Sequence, residues 1–375
     1  MKIPTVLCLI GTRPEAVKMA PVIKELKKNN NFIKTIVSAT GQHNTMTSQV
    51  FRIFDIHPDF DLKIMEPDQA LSRLTTELIT ALDLLIKKVK PDLILAQGDT
   101  TSVLAGALAA YYHHIPFGHV EAGLRTKNIS QPFPEEMNRR VADMAATLLF
   151  APTRDNKKNL LKEGLAEKAI KVTGNTVVDA LHVLMKKPFN WAKGPLAGLP
   201  ANRHFILITA HRRESFGPPM ENICRAVQEL AEKFGPQGFH FIFPVHLNPH
   251  VRRTVEKNLK GIPHMSLLEP LDPLTFINLL RRTSLVLTDS GGIQEEAPSM
   301  GIHVLVLRET TERPEGIKKG IATLVGRDKK RIVQEASGLL ESVLTKKDDL
   351  HQNKNPYGDG KAAGRIVSVL LEYLR

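Results

Sequence analysis

An alternation constrains the fold most: short apolar, β-prone runs end in glycine or polar turns and lead into helical stretches. Thr5 to Ile10 closes on Gly11-Thr12-Arg13-Pro14-Glu15, and Ala16 to Asn29 is then amphipathic with helical spacing. Thr35 to Thr40 leads to Gly41-Gln42-His43, and Leu71 to Lys88 forms a longer helix. Pro91 to Asp99 and Ile115 to Val120 are further strands, the second leaving Glu121-Ala122-Gly123-Leu124-Arg125 at its end. The second half repeats the design with Phe205 to Thr209, Phe239 to Val245, Leu285 to Thr288 and Val304 to Leu307. This order predicts an α/β chain of two doubly wound domains, each a parallel sheet covered on both faces. The boundary is expected near Val172 to Asn175, giving domains over 1–172 and 173–359. A final amphipathic helix in 360–375 is expected to pack back on the first domain.

In such sheets ligands bind outside the carboxyl ends of the strands. Every polar cluster above falls at one of those ends. The stretch Ser284 to Gly301 reads as a strand, the turn Asp289-Ser290-Gly291-Gly292, and a helix opening with Glu295 and Glu296. Glycines let a backbone approach closely, and the amides of a helix start favour an anion, so the stretch outlines a nucleotide seat. One of the two glutamates could accept hydrogen bonds from ribose hydroxyls. An ordinary strand-to-helix turn capped by Ser or Asp is the competing reading.

Arg13 and Lys18 flank a helix start and could neutralise a diphosphate; Pro14 fixes that turn, and Glu15 offers Arg13 a nearby anion. Asp99, Glu121 and Glu135 stand at strand ends or in the proline-rich loop Pro132-Phe133-Pro134-Glu135-Glu136. Singly each suits a cap or an ion pair. Together they suit acid/base chemistry, which needs more than one titratable group around the reacting carbon.

Neither G-x-G-x-x-G after the first strand nor G-x-x-x-x-G-K-[ST] occurs, which argues against a bound nicotinamide and against ATP hydrolysis. His246 and His250 have metal-like spacing, but Pro249 lies between them and no third ligand is near, so no metal is expected. The 51 basic against 39 acidic residues leave a formal charge of +12, which suits an anionic partner. The basic residues are scattered, without the tract expected of a nucleic-acid binder. Two cysteines support no disulfide framework, and neither a signal peptide nor an apolar run near the ~20 residues of a membrane span is evident. A cytoplasmic protein is expected.

Ten ordered motifs carry a resemblance that covers essentially the whole chain: GTRPEAVKMAP (Gly11 to Pro21), GDTTS (Gly98 to Ser102), HVEAGLRT (His119 to Thr126), PFPEEMNR (Pro132 to Arg139), TGNTVVDAL (Thr173 to Leu181), HRRESFG (His211 to Gly217), PVHLNP (Pro244 to Pro249), TDSGGIQEEAPSMG (Thr288 to Gly301), TTERPEG (Thr310 to Gly316) and NPYGDG (Asn355 to Gly360). The chain resembles the bacterial non-hydrolysing UDP-N-acetylglucosamine 2-epimerases. The resemblance implies two Rossmann-like domains with a cleft between them, of the glycosyltransferase-B type. It also implies interconversion of UDP-GlcNAc and UDP-ManNAc without a cofactor, a homodimer, and supply of ManNAc for surface polysaccharide. By the same resemblance Asp99, Glu121, Glu135 and His211 would be catalytic. Ser290, Gly291 and Gly292 would bind the diphosphate and Glu296 the ribose. Phe276 would lie near the uracil, while Arg13, Lys18, Arg139, His211 and Arg313 would line the substrate site.

Pro14-Glu15 after the Gly-Thr-Arg turn places the chain on the non-hydrolysing side. Some relatives carry an allosteric UDP-GlcNAc site, and of its effector set Gln42, His43, Glu136, Arg212 and His246 would remain here. Thr45 and Asp68 depart from the pattern and count against such activation. A hydrolase or glycosyltransferase of the same fold, and a silent nucleotide-sugar sensor, are the competing functions.

Overall fold

A computed structural model describes residues 2–41, 45–66, 69–345 and 355–375. Gln42, His43 and Asp68 lie outside the described residues. The chain divides into two compact units, residues 1–183 with 357–375, and residues 184–356.

The N-terminal unit runs β1 (Thr5–Ile10), α1 (Arg13–Lys28), β2 (Lys34–Ala39), α2 (Thr45–Phe54), β3 (Phe60–Asp61), α3 (Leu71–Val89), β4 (Leu93–Gln97), α4 (Thr101–Tyr112), β5 (Phe117–Val120), α5 (Glu135–Ala145), β6 (Leu148–Ala151), α6 (Arg154–Lys162), β7 (Ile170–Val172) and α7 (Thr176–Met185). Its parallel sheet has the order β3-β2-β1-β4-β5-β6-β7. Chain direction across the sheet reverses between β1 and β4. The C-terminal unit runs β8 (His204–Thr209), α8 (Pro218–Phe234), β9 (Phe239–Pro244), α9 (Pro249–Leu259), β10 (Met265–Leu268), α10 (Pro273–Leu280), β11 (Thr283–Thr288), α11 (Ile293–Ser299), β12 (His303–Val306), α12 (Pro314–Lys318), β13 (Ala322–Leu324) and α13 (Lys329–Thr345). Its order, β10-β9-β8-β11-β12-β13, repeats the same winding, with the reversal between β8 and β11.

The central strands form because they are uninterrupted apolar runs: every residue of β1 and β4 is buried, as expected for strands covered on both faces. Leu7, Leu9 and Ile94 pack under Leu78, Leu82 and Leu85 of α3. In the other unit Phe239, Phe241 and Phe243 alternate with Ile206 and Leu287 beneath α8. α14 (Ala362–Tyr373) returns to the N-terminal unit, where Asp179 of α7 accepts its first amides, from Ala362 at 3.2 Å and Ala363 at 2.9 Å. Arg365 of the same helix donates to the Thr173 carbonyl at 2.9 Å, and just before the helix the Tyr357 carbonyl accepts the Asn175 amide at 2.7 Å.

Candidate active site

In the N-terminal unit the reversal of the sheet brings the turn after β1 beside the turn after β4. Glu15 joins them. It stands in the first turn of α1, where a carboxylate suits the free amides. Its Oε2 accepts from the Gly11 and Thr12 amides at 2.5 and 2.9 Å, and its Oε1 from the Thr100 hydroxyl at 2.5 Å. Its carboxyl thus serves the two turns. Burial pushes it up to about 7, against the Thr100, Gly11 and Thr12 hydrogen bonds. Arg13 is half-buried at the start of α1.

Glu121 follows β5 with φ 71°, in the left-handed region. For a residue with a side chain this costs on the order of 1–3 kcal/mol and persists only where the surroundings enforce it. Here they do. Lys18, itself buried, donates to both Glu121 oxygens at 2.7 and 2.8 Å, and the Gln97 amide donates to Oε2. The Glu121 and Ala122 amides both donate to the Phe150 carbonyl on β6. Lys18 therefore serves Glu121, whatever else it contacts.

Asp99 follows Gly98, whose φ of 91° suits glycine. Arg139 of α5 grips Asp99 Oδ2 through Nε at 3.0 Å and Nη2 at 2.5 Å, and Asn138 donates to the Asp99 carbonyl at 3.0 Å. Glu136, fully buried, holds Arg139 and Arg140 at 3.0 Å each and accepts the Thr126 amide at 3.2 Å. Glu135, half-buried, opens the same helix. Asp99, Glu121 and Glu135 are thus all supplied or held by the carboxyl edge of this sheet and by α5. One turn further along the same face of α5, Asp143 holds His119 at 2.6 Å.

In the C-terminal unit the turns after β8 and β11 meet in the same way. Asp289, with no exposure, accepts the His211 and Arg212 amides, each at 2.9 Å, and the Ser215 hydroxyl at 3.0 Å. The His211 Nδ1 stands 3.6 Å from its other oxygen. The His211 ring stacks on His246 at 5.2 Å, and burial together with the neighbouring His211 lowers His246. Ser290, Gly291 and Gly292 lead into α11. A Cβ on Gly291 would stand 2.6 Å from Arg313 Nη1, so this turn admits only glycine without displacing the guanidinium. Arg313 is held at Nε by Glu295, 2.6 Å away, and at Nη1 by Glu312. Glu312 also accepts from Arg308, which donates to Glu214 at 3.0 Å. Of the two glutamates opening α11, Glu295 is thus buried and holds Arg313, whereas Glu296 is half-exposed at the turn. Phe276 is half-buried on α10, and Arg212 is half-buried beside His211.

Sequence reasoning missed the partners that hold these groups: Gln97, His119, Asp143, Asp289, Glu214, Arg308 and Glu312. Asp289 sat within a flagged turn and was readable as its cap. Asp143 lies in the last turn of α5 with no local signal.

The sequence profile of the family described as UDP-N-acetylglucosamine 2-epimerase matches residues 24–371. The chain is similar to the UDP-N-acetylglucosamine 2-epimerase of Bacillus subtilis strain 168, at 46% identity over 374 residues, which cover 99% of this chain and 96% of that one. The crystal structure of UDP-GlcNAc 2-epimerase from Neisseria meningitidis bound to UDP-GlcNAc is 44% identical with a TM-score of 0.90, covering 98% of this chain and all of that one. The S. aureus MnaA–UDP co-structure is 42% identical with a TM-score of 0.92, covering 99% and 97%. With the match running through both units and through the turns that hold the carboxylates and the glycines, the chain belongs to the UDP-N-acetylglucosamine 2-epimerase family.

Proposed function

We propose that the protein interconverts UDP-GlcNAc and UDP-ManNAc by eliminating UDP across C1 and C2 and adding it back. The observation that carries this is the set of carboxylates held at the carboxyl edge of the N-terminal sheet, Asp99 by Arg139 and Glu121 by Lys18, with Glu135 opening the helix that carries Arg139. The sugar C2 proton is too weakly acidic for direct removal. Loss of that proton to a carboxylate as the C1–O bond breaks gives 2-acetamidoglucal and UDP, the electron pair leaving with the diphosphate. Protonation at C2 from the opposite face, with UDP returning to C1, inverts the centre. Positioned acid/base groups contribute roughly 10²–10⁴-fold to such steps.

The turn Ser290-Gly291-Gly292 binds the diphosphate, Glu296 the ribose and Phe276 the uracil, as the family likeness implies. Arg313 is pre-positioned by Glu295 and Glu312. With Arg13 and His211 it stabilises charge building on the departing UDP, where fixed donors act most strongly. The product supplies ManNAc units for surface polysaccharide in the cytoplasm. Two chains pair through the exposed apolar side chains of α4 and α5, among them Tyr111, Tyr112, Met137 and Met144. Retention of allosteric activation is tested by initial rates against UDP-GlcNAc, where a sigmoidal curve reveals an effector site and a hyperbolic one its loss.

The deciding experiment is proton NMR of the purified protein with UDP-GlcNAc in D2O. UDP-ManNAc deuterated at C2 is the expected product; free ManNAc with UDP marks a hydrolase, and no change marks a sensor or an acceptor-dependent transferase. Asp99→Asn, Glu121→Gln and Glu135→Gln are each expected to lower kcat by roughly 10²–10⁴-fold. Near-normal turnover in all three would refute the assignment.

A further inference from the structure

His119 on β5 and Asp143 on α5 are both without solvent exposure, and neither carries a role in the proposed reaction. Burying an ionisable pair is costly unless each donor and acceptor is matched. Here the match is close. The ring Nδ1 lies 2.6 Å from Asp143 Oδ1 and Nε2 lies 2.7 Å from the Gly98 carbonyl oxygen. A carbonyl only accepts, so Nε2 carries a hydrogen; with a carboxylate on Nδ1 the ring carries both and is a cation. Burial opposes that cation, but Asp143, the Gly98 carbonyl and the more distant Asp99 raise His119 above its ordinary value. Burial likewise acts to raise Asp143, yet His119 and Arg125 hold it below the usual carboxylate range. The other Asp143 oxygen accepts the Gly123 amide at 3.1 Å and faces Arg125 Nη1 at 2.8 Å, and Arg125 is closed off by Glu163 at 2.5 Å.

We infer that His119 and Asp143 are a positioning pair for Asp99 and Glu121: the ring clamps the Gly98 carbonyl next to Asp99, and Asp143 clamps the Gly123 amide just beyond Glu121. One buried contact thereby fixes two carboxylates that lie on separate loops. Gly98 permits it, since its φ of 91° lies where a side chain would be strained. The inference rests on the reading that Asp99 and Glu121 handle the C2 proton.

The test is steady-state kinetics on His119→Gln, Asp143→Ala and Asp143→Asn, with the wild-type melting transition required of each. Misplacement by about 1 Å can cost about 10²-fold, so His119→Gln and Asp143→Ala are expected to lower kcat by that order with KM for UDP-GlcNAc unchanged. Asp143→Asn keeps an oxygen for Gly123 and Arg125 and offers an N–H to a neutral ring that still donates to Gly98. It is expected to stay within about fivefold of wild-type kcat, and it decides the matter should the other two fail to fold. In the Asp99→Asn background, His119→Gln is expected to cost less than about threefold further, as coupled sites require. A loss confined to KM, full turnover in His119→Gln, a collapse of Asp143→Asn, or an undiminished loss in the Asp99→Asn background overturns the pair. Normal turnover in Asp99→Asn alone instead overturns the role given to Asp99.

Discussion

Glu15 illustrates what a single buried carboxyl can be asked to do. It satisfies two amides of the turn after β1 and a hydroxyl of the turn after β4, and at about 7 its proton is held more tightly in the folded chain than in the unfolded one. A raised carboxyl contributes fully below its unfolded value, 4.5, and loses that contribution as pH rises through about 7. Glu15→Gln keeps an oxygen for the amides and an N–H for Thr100 while abolishing the titration. Its stability relative to wild type is therefore expected to rise by about 3 kcal/mol between about pH 4.5 and pH 8, read from denaturant midpoints across that range. A flat difference would mean that Glu15 titrates like an exposed carboxyl. Glu121 is the opposite case, a carboxylate whose backbone strain is sustained by Lys18 and Gln97, 103 and 24 positions away in sequence.

Elements whose apolar runs are bounded by turns were legible in the sequence: β1, β2, β4, β5, β8, β9, β11 and β12 stand where alternation put them. The rest were hidden for identifiable reasons. β3 and β7 are two and three residues long, and β7 exposes two of its three. β10 is only half-buried along its length. β6 is buried but follows α5 with only Ala146 and Thr147 between them, so no glycine or charged turn marks where the helix ends and the strand begins. The site divides the same way: turn residues were legible because glycine and carboxylates cluster at strand ends, while their partners come from distant positions that no spacing reveals. The turn opening α11 shows how tightly such a place is specified. Gly291→Ala would drive a methyl into the Arg313 guanidinium. Overpacking of this kind costs typically ~1–3 kcal/mol, so UDP affinity by calorimetry is expected to fall about tenfold or more. Unchanged affinity would remove Arg313 from the UDP site.

At the scale of the whole molecule, two sheets of the same winding order each present polar turns at their reversal point, and Arg139, Lys18 and Gln97, which hold Asp99 and Glu121, come from the N-terminal unit of the same chain. Association with a second copy is therefore not needed to set those carboxylates. The exposed apolar residues still call for an explanation, since Tyr111 and Tyr112 end α4, and Met137 and Met144, 51% and 71% exposed, lie one heptad apart on α5. That spacing puts both methionines on one face of the helix, away from Asn138, Arg139 and Asp143. Tyr112→Asp combined with Met144→Asp is expected to lower the mass found by light scattering from twice the 41.7 kDa of the chain to that of one chain. The monomeric variant is expected to keep kcat within about threefold, because His119, Asp143, Arg139 and Lys18 remain in place. Loss of turnover on dissociation would mean that Glu135, two residues before Met137 on the same helix, takes its position from the partner copy.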